Sequence, residues 1–185
     1  METSAFYNWV ITMDANDPIA RLARHIDATR KAEHFQVNVD TVTEIRRNGA
    51  MELHRICAAF VGAVNSRLTD AVLEIAPPAF AAEGYREPGA NVIQISSQGR
   101  VLQIVYQAPA GAASTEKFLI PYVLEGEVRA YNQRMLERSE IRSYMLFYCV
   151  ENETAVWRYF DWRTRSTGAL GSELLTRLME PLFLG

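Results

Sequence analysis

A chain of 185 residues, 49% hydrophobic and 22% charged, carries enough apolar material for an ordinary folded core without disulfide or metal staples. A formal charge of −3 and a pI near 5.7 weigh against bulk nucleic acid or an anionic membrane as the main partner, because both recruit basic surfaces. With no run approaching the roughly 20 apolar residues of a membrane span, and no basic leader before Phe6, Trp9, Val10 and Ile11, the sequence predicts a soluble, cytoplasmic protein without membrane insertion.

The first helix signal is Asn16-Asp17-Pro18, where capping side chains precede a proline suited to a first helical turn. Ile19, Leu22, Ala23 and Ile26 then recur on one face, which predicts a helix leaning on the core. A second helix is expected from near Asp40 or Gly49 to Leu73, its apolar stripe running through Met51, Leu53, Ile56, Cys57, Phe60, Val61, Val64 and Leu68, with Gly49 as a candidate kink. Pro77-Pro78 removes two backbone donors and ends the helical layer.

Asn91–Ser97 and Arg100–Gln107 flank Gln98-Gly99 and read as a β-hairpin, with Leu102, Ile104 and Tyr106 on one face. Phe118, Ile120, Tyr122 and Leu124 repeat at period two and predict a third strand. The stretch from Glu125 to Glu140 is ambiguous, and the helical reading through Val128, Tyr131, Met135 and Leu136 is preferred over an extended strand. Ile141–Val150 and Thr154–Thr164 form an aromatic hairpin around Glu151-Asn152-Glu153, apolar on both faces and therefore expected at the centre of a sheet. Ser172 is a candidate cap for a terminal helix carrying Leu174, Leu175, Leu178 and Met179.

The implied fold is α+β: a mainly antiparallel sheet of about five strands covered by N-terminal and C-terminal helices. Residues 1–185 read as a single domain, with 1–15 a loosely packed N-terminal arm.

Chemistry-bearing motifs are sparse. His54 and Cys57 stand one helical turn apart, but a zinc site needs three or four ligands and no second pair follows, so no metal is expected. Cys57 and Cys149 fall in a helical and a strand pattern and suggest reduced thiols. No serine lies in a nucleophile elbow, and Gly168 and Gly171 lack nucleotide-binding spacing, so no cofactor is implied. Glu125 and Glu127, with Asp161 from a later strand, form the best acid/base candidate.

The segment from Trp157 to Arg163 is the most distinctive. In a strand, Trp157, Tyr159 and Asp161 share one side while Arg158, Phe160 and Trp162 share the other, so that Trp157, Arg158, Tyr159, Asp161, Trp162 and Arg163 could offer stacking and ion-pair contacts to a partner. The expected function is a non-catalytic binding or adaptor protein, a possible homodimer, using an aromatic sheet face or a helix–sheet groove for a protein partner or an apolar small molecule. The alternative is a small-molecule enzyme with an acid/base pocket on a curved sheet; nucleic acid is an improbable ligand.

Overall fold

In the computed structural model, which describes residues 17–33, 39–151 and 154–184, the organising element is a seven-stranded antiparallel sheet whose strands lie side by side in chain order. They are β1 (Glu74–Ala76), β2 (Asn91–Ser97), β3 (Arg100–Gln107), β4 (Tyr122–Tyr131), β5 (Arg142–Glu151), β6 (Thr154–Asp161) and β7 (Ser166–Ala169). Successive strands pair because their connections are short enough to turn straight back. At the β2–β3 turn, Gln98 and Gly99 have φ of 49° and 74°, the left-handed pair that matches the twist of a two-residue hairpin, and Ser97 faces Arg100 across it.

The helices are α1 (Pro18–Glu33), α2 (Val39–Asn65), α3 (Gln133–Glu137), α4 (Ser172–Met179) and α5 (Pro181–Leu184). α2 lies across one face of the sheet, burying Ala50, Leu53, Cys57 and Phe60 against Ile95, Ile104, Leu124 and Trp157. We call this the inner face. Gly49 permits the close approach: a Cβ there would sit 2.5 Å from Tyr148 Cδ1, and its carbonyl accepts the Trp157 indole N–H at 2.8 Å. The glycine expected to kink the helix is instead its docking point, and α2 runs through it unbroken. α4 adds Leu174, Leu175 and Leu178 to the same core.

On the outer face, Tyr122, Phe147 and Cys149 form a second, smaller core beneath Phe118 and Ile120 of the connection 108–121. The Phe118 and Phe147 rings stack with centroids 4.9 Å apart. One strand therefore feeds two cores, as alternate side chains of β5 point to opposite sides.

Several expectations are corrected. The sheet has seven strands rather than about five, because Glu74–Ala76 and Ser166–Ala169, too short to show a period, pair at its two edges. The aromatic hairpin β5–β6 is off-centre; β4 takes the middle. Glu125 to Tyr131 is strand, because Val128 and Ala130 face the core in register with Ile104 and Leu102, and only the short α3 follows, capped by Asn132 accepting from the Met135 N–H at 2.9 Å. Phe118 and Ile120 belong to the connection, not to a strand. α2 stops at Asn65, well before Leu73. α1 is capped by Asp17, which accepts from the Ile19 N–H at 3.0 Å, but its Ile19, Leu22 and Ile26 stripe is exposed, since α2 and α4 already occupy the inner face. The expected arm 1–15 lies outside the described residues. Among those described, no helix is long and apolar enough to cross a membrane.

Candidate functional site

Strand alternation divides the residues singled out on β6. Trp157 is fully buried beneath α2, with its indole N–H spent on Gly49, so it holds the fold rather than facing a partner. Tyr159, on the same face, meets Tyr144 edge to face at 5.7 Å, and the Arg177 guanidinium lies 5.4 Å from its ring centre. Arg158 points to the outer face and pairs through Nε with Glu151 Oε1 at 2.7 Å. Asp161 closes the β6–β7 turn: its carboxylate accepts from the Arg163 N–H and the Thr164 hydroxyl, each at 2.9 Å. Burial alone would raise the Asp161 pKa, but these hydrogen bonds outweigh it and hold the carboxyl below the usual range. Trp162 is exposed at the same turn, with the Arg163 guanidinium 5.3 Å from its ring centre. The six residues thus serve three places, and only Trp162 and Arg163 stand together in solvent.

The acid/base trio is likewise separated. Glu125 and Glu127 face outward from β4, ion-paired with Lys117 at 2.7 Å and Arg129 at 2.6 Å, beside a groove of about 440 Å³ reaching Val105 and Met145. Met145 is registered with Phe160, so the next residue, Asp161, points to the opposite face. No shared site assembles from these three carboxylates. His54 is spent on Pro77, its Nε2 lying 2.9 Å from the carbonyl, and burial pushes the Cys57 thiol up to about 12. Among the described residues, no group of three or more His, Cys, Asp or Glu side chains is placed to hold a metal ion.

An apolar cleft between helix and sheet is a further candidate. The C-terminal end of α2, the β2–β3 turn and the α4–α5 corner enclose about 370 Å³ lined by Phe60, Val64, Leu68, Leu73, Met179 and Phe183. Leu68 and Phe183 remain 40% and 45% exposed at its edges. The walls are braced by specific bonds: the Asn65 side-chain amide donates to the Leu73 carbonyl at 2.8 Å and accepts the Leu73 N–H at 2.9 Å. Across the cleft, Arg100 donates to the Leu182 carbonyl at 3.3 Å and stacks 5.1 Å from the Phe183 ring centre. From sequence, Phe60, Val64 and Leu68 read as one core stripe. Phe60 is indeed buried, whereas Val64 is half-buried and Leu68 exposed because α2 ends at Asn65, which periodicity does not reveal.

Comparison with protein-family models, with curated proteins and with solved structures finds no match for this chain.

Proposed function

We propose that the chain is a non-catalytic binding protein that takes an apolar segment of a protein partner, or an apolar small molecule, in the cleft between α2, the β2–β3 turn and the α4–α5 corner. The observation that carries this reading is a braced cleft of ligand size, about 370 Å³, with a largely apolar lining in which Leu68 and Phe183 remain partly exposed. Groups left in contact with water at the mouth of a preformed pocket return hydrophobic free energy when a ligand covers them. Trp162 and Arg163 at the β6–β7 turn are proposed as a separate, smaller contact for a protein partner.

The test uses the neutral fluorophore N-phenyl-1-naphthylamine. Its emission should rise on binding the wild-type chain and fall back in Leu68→Glu and Phe183→Glu, both at partly exposed positions where folding should be retained. Equal emission from wild type and both variants would remove the cleft as the site.

The α1 stripe supports the homodimer form of this reading. Ile19, Leu22 and Ile26 are 77%, 59% and 60% exposed on one helical face, the pattern of a helix that docks in a groove. Sedimentation over a dilution series should show a concentration-dependent dimer that Leu22→Glu with Ile26→Glu converts to monomer. A wild-type chain monomeric throughout would end the homodimer reading.

A further inference from the structure

A second cavity lies on the other side of α2, bounded by the middle of that helix, the connection between β1 and β2, and the start of β2. It measures about 400 Å³ and is independent of the cleft, sharing none of its lining residues. Its walls include three aromatic rings. Phe80 and Tyr85 come from the connection and Tyr106 from β3, while the His54 ring is pinned by Pro77.

Three features give this cavity a chemical preference. Arg86 lies at its edge, exposed, and its guanidinium makes no hydrogen bond or ion pair with another described residue, although the Arg86 backbone is clamped on both sides by the Asn91 amide. The Tyr85 hydroxyl is buried without a hydrogen-bond partner among the described residues, and burial, reinforced by Glu87, raises its pKa so that it stays a donor at neutral pH. Glu87 exerts the largest charge effect on Tyr85, but it is paired with Arg46, and Arg46 and Arg47 both act on Tyr85 in the opposite sense. An unpaired guanidinium, a hydroxyl donor and three aromatic rings around one cavity are complementary to a flat ring bearing an anionic group.

We propose that this cavity is a binding site for small aromatic carboxylates, the ring lodged among Phe80, Tyr85 and Tyr106 and the carboxylate paired with Arg86. The guanidinium fork matches a carboxylate with two parallel hydrogen bonds, whereas a neutral amide of the same shape forfeits the charge-assisted pair.

Isothermal titration with 2-naphthoate tests it, with 2-naphthamide as the uncharged analogue. Wild type should bind the carboxylate about tenfold or more tightly than the amide, and Arg86→Gln should erase that difference. Ala90→Trp, at an exposed lining position, should block both compounds by filling the mouth. Leu68→Glu, in the apolar cleft, should leave both affinities unchanged, so failure here is separable from failure of the proposed cleft. The site is overturned if 2-naphthoate fails to bind at millimolar concentration, if Arg86→Gln binds it as tightly as wild type, or if Leu68→Glu abolishes binding.

Discussion

The two faces of the sheet are built from the same strands and buried by different means. On the inner face, Trp157, Tyr148 and Tyr106 lie beneath a long helix whose backbone comes close enough to accept a hydrogen bond from the indole. On the outer face, among the described residues, Phe147 and Tyr122 are covered from the connection 108–121 by Phe118 and Ile120, with Met145 and Phe160 of the neighbouring strand positions beside them. A helix brings many side chains to a sheet at once and can dock as a rigid body; a connection brings a few and must be tied down separately. Arg46 supplies a tie from the helical layer: it donates to the Val123 carbonyl at 3.0 Å and to the carbonyls of Gly111 and Ala112 at 2.6 and 3.2 Å, and pairs with Glu87. The inner face owes its stability to area, and the outer face to a small number of specific contacts.

Graded substitutions should separate these modes. The largest effect is expected from Trp157→Ala, which removes a fully buried indole and leaves the Gly49 carbonyl without its donor; urea unfolding should show a loss of about 3–5 kcal/mol. Arg46→Met should cost about 3 kcal/mol, because Glu87 is left largely buried without its partner, and limited proteolysis should then cut within 108–121 ahead of the rest. Phe118→Ala, at a half-buried ring, should cost about 1.5 kcal/mol and speed amide exchange in the connection without changing exchange in α2. If Phe118→Ala destabilised as much as Trp157→Ala, the distinction between the faces would fail.

The smallest effect concerns pH. Asp161 has its folded-state pKa held below the unfolded value, so its stabilising contribution is present above the unfolded carboxylate pKa and lost as pH falls through the folded one. Asp161→Asn should therefore lower stability at neutral pH and flatten the acid limb of the stability profile. An acid limb identical to wild type would show that the turn bonds carry no linkage.

Much of the fold was legible because it rests on local pattern. The β2–β3 hairpin was marked by Gln98-Gly99 between period-two runs, and β5–β6 by aromatic alternation around a polar turn, and both occur close to the expected positions. Glu125 to Tyr131 misled because Val128, Tyr131 and Met135 satisfy a helical period as readily as a strand; pairing with β3 decided it. The edge strands β1 and β7 were illegible for the same reason, having too few residues for a period and existing only through a neighbour's hydrogen bonds.

Candidate sites were less legible than elements. The aromatic, charged run on β6 announced its composition, but strand alternation distributed it between the helix-covered core, an outer ion pair and an exposed turn. The cleft at Leu68 and Phe183 and the cavity at Tyr85 and Arg86 each join segments distant in the chain, and neither has a local signature.

From its residues alone the chain determined where α1 and the β2–β3 and β5–β6 hairpins lie, which side chains of those strands share a face, and that an apolar core would form, because these follow from caps, turns and periods within a few residues. Tertiary structure alone decided that Gly49 meets Trp157, that the 108–121 connection seals a second core, and that two separate cavities open beside α2. Those outcomes depend on which surfaces meet in three dimensions, and burial by a distant segment leaves no mark on neighbouring letters of the sequence.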